Sequence, residues 1–313
     1  MLPYSRARDP CYTRRMTRRG LLLFASMCLI WGIPYFLIRI AVGQISPVML
    51  VFARTAIGAV ILMPVVIARG GLRGLGRKWW AILAFAVAEV GGPWYCLSSA
   101  EQHISSSLAA ILISCVPLVG MGVAPLFGNR ERIGPVGIGG LALGLVGVAA
   151  IVGLDLQASD PVSLVEMALV VVGYALGPAI IGRYLTGVPS VTVTGTSLAA
   201  CAVFYAPLAA TQWPSTLPGA DVLVSIGVLG IVCTAAAFLL FYALIKEIGP
   251  VRSTVITYIN PAVAAVVGVA VLRESFTVGM GVGFVLVLGG SILATRGRAQ
   301  RSKVLRTRRD ESM

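Results

Sequence analysis

Apolar runs of about 20 residues recur ten times along this chain, at roughly 20–42, 47–68, 79–99, 105–127, 136–153, 164–185, 189–210, 222–244, 250–271 and 277–294. A run of that length is what an α-helix needs to cross some 30 Å of hydrocarbon at about 1.5 Å per residue. Lipid offers no hydrogen bonds, so a spanning segment must satisfy its own backbone, and a continuous apolar run does this as a helix. The expected fold is therefore an all-α polytopic membrane protein with ten transmembrane helices and no separate soluble domain. Seven of the runs contain a proline (Pro34, Pro64, Pro93, Pro117, Pro178, Pro207, Pro261). Membrane bundles tolerate such kinks because neighbouring helices satisfy the backbone groups that proline frees.

Charge follows the same division. Only 12% of the 313 residues are charged and 58% are hydrophobic, whereas soluble domains carry about 25% charged residues. The net charge of +13 does not point to nucleic acid, because a nucleic-acid site needs a continuous basic surface. Here the basic residues sit at the two ends and in short connections. Six lie in the N-terminal tail (Arg6, Arg8, Arg14, Arg15, Arg18, Arg19) and four after the second run (Arg69, Arg73, Arg77, Lys78). Arg130, Arg132, Arg183, Lys246 and Arg252 follow in the even-numbered connections, and seven more lie in the C-terminal tail. Threading ten spans from a cytoplasmic N-terminus puts all of these on one side and leaves only Arg273 in an outer connection. This is a strong positive-inside pattern, with Trp79 and Trp80 placed as an inner interfacial anchor. The expected location is the cell membrane, with both tails cytoplasmic. The start "MTRRGLLLFASMCL" has the basic flank and apolar core of a signal peptide, but the run continues without a small-x-small exit site. It reads as a retained first span.

The chain also repeats itself. Pro47 matches Pro189, Pro64 matches Pro207, Pro117 matches Pro261, Glu131 matches Glu274, Gly137 matches Gly281 and Gly139 matches Gly283. These ordered matches share nearly one offset. The chain thus divides into a basic tail (1–19), a first repeat (20–153), a second repeat (164–294) and a basic tail (295–313). Each repeat holds five spans. An odd number reverses the second copy in the membrane, and inverted repeats mark alternating-access carriers whose site lies near the midplane.

Trp31-Gly32, Arg39, "PVMLVFART" with Pro47 and Arg54, and "SSSLAAILISCVPL" leading to Glu131 form one ordered set. "FYALIKEIGPVRSTVITYINP" leading to "RESFTVGMGVG" forms the second. On these residues the chain, over roughly 20–294, resembles the EamA family of the drug/metabolite transporter superfamily. The resemblance implies a ten-helix secondary carrier, often an exporter of amino acids, metabolites or drugs, with a central cavity between the repeats. A proton gradient is the expected drive, with facilitated diffusion as the fallback. It assigns no role to Glu89.

Glu89 interrupts "AILAFAVAEVGGPWYCL" at the centre of its span, about 15 Å from either end. A carboxylate there cannot snorkel to water and is costly against lipid. At about 100° per residue, Leu83, Val87, Val90, Trp94 and Leu97 form a bulky stripe suited to lipid or a packed neighbour. Phe85, Glu89, Gly92, Cys96 and Ser99 form the opposite, smaller face. Burial and neighbouring charge decide where such a carboxyl ionises. Two readings follow: a proton or substrate-amine site, or a structural carboxyl held by hydrogen bonds or paired with an arginine such as Arg54. Arg54, about 10 Å inside its span, either snorkels or faces the cavity and holds an anionic group. Arg39 is close enough to the outer end to snorkel. Tyr35, Trp94, Tyr174, Tyr258 and Asn260 are candidates to line a polar or aromatic cavity. Asn260 is the best of them, because its amide needs partners at depth and Pro261 frees a carbonyl nearby.

Other motifs carry less. "GLRGLGRK" lacks the Ser/Thr that follows the lysine of a phosphate-binding loop and follows no strand, so it reads as a basic connection. His103 is the only histidine and makes no metal site, whether it is a solvated loop residue or a pH-sensing gate. Cys11, Cys28, Cys96, Cys115, Cys201 and Cys233 form no CxxC pair and read as small packing residues. Gly140-xxx-Gly144 and Gly279-xxx-Gly283 let helices approach closely, either inside the bundle or across a dimer. An intramembrane enzyme is the competing class, with a receptor or scaffold as the other alternative. HExxH and GxSxG are both absent from the sequence, and the reading is a non-enzymatic carrier. Its partners are a small-molecule substrate and the lipid bilayer, it needs no cofactor, and it acts as a monomer or homodimer.

Overall fold

A computed structural model describes residues 17–128, 134–154, 160–249, 253 and 255–293. Glu131, Arg130, Arg132, Arg252 and Cys11 lie outside the described residues, as do all the basic residues of the tails except Arg18 and Arg19. The described chain is helical throughout. Seven helices are long and apolar enough to cross a membrane: α1 (Arg18–Ala41), α2 (Pro47–Ala68), α3 (Gly76–Ala100), α4 (Ser106–Phe127), α6 (Pro161–Tyr184), α7 (Ser190–Thr211) and α8 (Ala220–Ile248). Three shorter apolar helices complete the set: α5 (Pro135–Ile151), α9 (Ile256–Leu272) and α10 (Val278–Leu293). Residues 250–252, expected inside the ninth span, lie outside the description apart from the neighbouring Ser253.

Local chemistry fixes several helix starts. Thr17, Ser46, Ser105 and Asp160 each accept a hydrogen bond from a first-turn amide, of Gly20, Met49, Leu108 and Ser163 respectively. Capping by a short oxygen-bearing side chain satisfies amides that the helix leaves free, and a proline in the next position suits a helix start. Pro47 and Pro161 occupy that place. Helix α1 is broken at 31–33, where Pro34 restarts it. Gly32 is needed at this break, because a Cβ there would run into Val263 of α9.

The helices pack in pairs that repeat. The most extensive contact is α2 against α7, the second helices of the two halves. Helix α4 packs against α9, and α5 against α10 through glycines. Most of the remaining contacts come in matched sets: α3 with α6 and α8 with α1, α4 with α6 and α9 with α1, α3 with α7 and α8 with α2. Advancing each helix by five reproduces the pattern, which is what two copies of one five-helix unit require. Large apolar side chains such as Val60, Leu145, Val203, Val266 and Val285 are exposed on the outside of this bundle, as a lipid-facing surface demands. Trp79 and Trp80 are exposed at one end, where Trp80 packs on Tyr184 and Lys78 donates to the Thr186 carbonyl at 2.8 Å.

The α5–α10 glycines are used inside the chain. A Cβ on Gly147 would meet Val287 N at 2.8 Å and Gly283 O at 2.9 Å, and one on Gly290 would meet Gly140 and Gly144. Gly147→Val is therefore expected to destabilise the fold by ~1–3 kcal/mol through overpacking, read as a lowered melting temperature in detergent. Gly139→Val, where a Cβ meets nothing within 4 Å, is the matched control and is expected to melt as wild type.

Candidate functional site

Helix α3 is not regular. Residues Ala86–Gly91 form a π-helical turn, with Glu89 its fourth residue. Pro93 has no amide to give the preceding turn, and its ring excludes the carbonyl below it, so the regular ladder breaks here. The first and last carbonyls of the turn find partners across the repeat boundary. Cys201 of α7 reaches the Ala86 carbonyl at 3.5 Å, and the Tyr205 hydroxyl donates to the Gly91 carbonyl at 3.0 Å. Helix α8 carries a second π-helical turn at Ile231–Ala236, with Thr234 its fourth residue. The Thr234 hydroxyl donates to the Leu229 carbonyl, just before this turn, at 2.8 Å. Glu89 and Thr234 thus hold equivalent places in the two repeats. Isolated π turns cluster at functional positions.

Arg54 reaches the second of these turns. Its Nε donates to Thr234 Oγ1 at 2.9 Å, and its guanidinium carbon lies 3.7 Å from the ring centroid of Trp94. Arg54 is 7% exposed and Trp94 6%, so the charge is buried between helices and does not snorkel. A desolvated guanidinium over an indole face is held by about 2 kcal/mol or more. The structure therefore ties α2 of the first repeat to α8 of the second through one side chain, with α3 supplying the aromatic face.

Glu89 faces helix α6. A Cβ at Gly177 would collide with its carboxylate, and one at Gly173 would collide with the Ala88 carbonyl and Pro93. This Gly-xxx-Gly stripe is what lets α6 approach the π turn. Glu89 Oε2 is buried without a hydrogen-bond partner among the described residues. Arg54 is committed to Thr234 and Trp94, so the alternative in which Arg54 pairs with Glu89 is not formed. The sequence-derived stripe also divides. Val90, Trp94 and Leu97 are buried, whereas Leu83 and Val87 are exposed. A π turn holds an extra residue, so side chains above and below it do not follow one 100° wheel.

The other candidates fall in three places. Tyr174 on α6 packs against two separate core clusters, one containing Tyr35 and Cys233 and the other Trp94 and Tyr205. It therefore stands beside the Arg54 site. Asn260 is buried on α9, and with its amide turned so that the nitrogen faces the surrounding acceptors it donates to the Ile256 carbonyl at 2.9 Å and the Cys28 carbonyl at 3.3 Å. Its partners are backbone groups of its own helix and of α1, which gives it a tie between helices. Tyr258 is half-buried two residues earlier on the same helix, about half a turn round from Asn260. Arg39 donates to the backbone carbonyl of Glu101 at the end of α3, a specific contact that replaces the expected snorkelling. Sequence reasoning missed Thr234, whose signal is its offset of 145 from Glu89. It also missed Glu101.

An all-helical, membrane-spanning protein of two structurally matched halves, joined at its centre through irregular turns and a buried arginine, belongs to the two-repeat class of membrane proteins. The chain belongs to the EamA-like transporter family, whose model matches residues 18–153 and again 163–296. Relatives carry transporter names. The uncharacterized inner membrane transporter YedA of Escherichia coli K12 is 26% identical over 260 residues, covering 82% of this chain and 83% of that one. The uncharacterized transporter YvbV of Bacillus subtilis 168 is 23% identical over 296 residues, covering 92% and 95%. An uncharacterized transporter of Archaeoglobus fulgidus is 25% identical over 275 residues, covering 86% and 95%. A solved crystal structure shares the fold, with a TM-score of 0.63 at 20% identity over 90% of this chain and 98% of that one.

Proposed function

We propose that this protein is a secondary transporter of the inner membrane that exports small organic solutes such as amino acids, metabolites or drugs. Two five-helix repeats, 20–153 and 164–294, lie inverted to each other and rock about a central site. That gives ten crossings, with the three shorter helices spanning alongside the seven long ones. The observation that carries this reading is the pair of π turns at equivalent places in the two halves, one presenting Glu89 and the other holding Arg54 through Thr234. Irregular backbone at membrane depth is tolerated where it is enclosed by protein or lines a cavity, and carriers build their sites from it.

Arg54, held at its Nε by Thr234 and across its face by Trp94, keeps guanidinium donors for an anionic group such as a carboxylate. Glu89 exchanges a proton for a substrate amine at the centre of α3. Tyr174 stands between the two, and Tyr258 and Asn260 shape the wall formed by α9. The α5 and α10 glycines are occupied within one chain, which supports a monomer as the transporting unit; a homodimer would pair through other faces.

The direct test is an export screen. Cells overexpressing the protein are loaded with dipeptides, amino-acid analogues and dyes, and efflux is measured against cells carrying Arg54→Ala at equal abundance. At least one solute is expected to leave faster with the wild type alone. Identical efflux of every solute removes the carrier reading.

Topology has its own test. Twenty-two basic residues fall in the two tails and the even-numbered connections, which supports cytoplasmic tails. A fluorescent reporter at the C-terminus is expected to glow and a periplasmic phosphatase fused there to stay silent. An active phosphatase would rule out a cytoplasmic C-terminus and, with it, this orientation of the ten crossings.

A further inference from the structure

Two carboxylates meet at the end of the bundle formed by the C-terminus of α3, the N-terminus of α4 and the connection between α9 and α10. They are treated very differently. Glu274 accepts from the Ser106 amide at 2.8 Å, the Ser107 amide at 3.0 Å and the Ser107 hydroxyl at 2.6 Å. Burial works against its charge, but the Ser107 and Ser106 hydrogen bonds prevail and hold its carboxyl below the usual carboxylate range. Glu101 is 0% exposed, and neither of its carboxylate oxygens has a hydrogen-bond partner among the described residues. Arg39 donates instead to its backbone carbonyl.

An ionised carboxylate, fully buried and without a donor, is among the most costly arrangements in a protein; the neutral acid is far less so. The groups around Glu101 are few: Tyr35 and Arg39 from α1, Arg54 from α2, Tyr174 from α6 and Glu274. Burial pushes the Glu101 carboxyl well above the ordinary range, with Glu274 adding to the rise and Arg39 and Arg54 opposing it. A divalent metal would need an oxygen cage, and among the described residues no three His, Cys, Asp or Glu side chains come together to hold an ion. The ligand that fits a lone buried carboxyl is a proton.

We propose that Glu101 is a proton-binding site at the outer gate, neutral while Arg39 sits on its own carbonyl, and ionised when this end opens and Arg39 moves onto the carboxylate. The proton leaves to the medium on that side and is taken back on closing. The move is short, because carbonyl and carboxylate belong to one residue. That this side is the outer one rests on the topology proposed above; the proton site itself does not.

Infrared difference spectroscopy of the full chain in lipid vesicles, titrated from acid to alkaline pH, reads the site without a transported substrate. Protonated-carboxyl C=O absorption is expected at neutral pH, and the component that is lost in Glu101→Gln is expected to persist in Glu89→Gln. Arg39→Gln leaves Glu101 in place and removes the cation that favours its charge. It is expected to move the disappearance of that band roughly one pH unit or more upward. A full band in folded Glu101→Gln, or an unshifted titration in Arg39→Gln, would overturn the proposal. Should Glu101→Gln fail to reach the membrane, the Arg39→Gln titration decides alone. A silent export screen leaves these spectra unchanged, so the two failures are distinguishable.

Discussion

Replacing Glu89 with glutamine is expected to leave the protein in the membrane at wild-type abundance and to abolish the dependence of transport on pH. Glutamine keeps the shape that packs against Gly177 and most of the hydrogen-bonding capacity, but it cannot ionise. The carboxylate has one oxygen buried without a partner, so no network collapses when its charge is removed. Lipid at mid-depth penalises an ionised carboxylate by ~2.5 kcal/mol or more, so the alternation between charged and neutral forms must be tied to a movement that changes its surroundings. Proton-coupled flux is read in vesicles under imposed pH gradients. A wild-type pH profile in Glu89→Gln would leave Glu89 a structural role only.

Arg54→Ala is expected to lower transport by on the order of 10–100-fold while membrane abundance stays near normal. The substitution removes a hydrogen bond to Thr234 and a cation over Trp94. A contact of about 2 kcal/mol or more of this kind corresponds to a factor of ten for each 1.4 kcal/mol. Lysine restores a point charge but not the planar fork or its stacking on the indole, so Arg54→Lys is expected to recover only part of the rate. Efflux by cells matched for protein abundance measures both. Normal efflux in the alanine variant would mean that the guanidinium holds α2 to α8 and does nothing for a substrate.

Much of the architecture was legible in the chain. Runs of about 20 apolar residues announce helices because lipid leaves the backbone no other option, and the proline and glycine matches announce two copies of one unit. Arg54 and Trp94 were both picked out as candidates, yet their contact was not, because periodicity places a residue on a face without saying which helix that face meets. The π turns were hidden for a related reason. Pro93 marks a break in the ladder, but only packing against Gly173, Gly177, Cys201 and Tyr205 decides that the break takes the form of an extra residue. That extra residue is why the wheel joining Leu83 and Val87 to Trp94 fails. Glu101 was overlooked because a charged residue at the end of a span, within "SSAEQHISSS", looks solvated. The end of α3, the start of α4 and the α9–α10 connection enclose it instead. Asn260 shows the reverse case. A polar side chain at depth does need partners, and it found them in the carbonyls of Cys28 and Ile256.

The most direct measurement of alternating access uses Thr234, which is 0% exposed in the structure. In a chain freed of its six native cysteines, Thr234→Cys is treated with a membrane-impermeant maleimide in right-side-out and in inside-out vesicles. Rocking of the two repeats about the Arg54 site exposes this position to each side in turn, so labelling is expected from both. Labelling from one side only, or from neither, would contradict it.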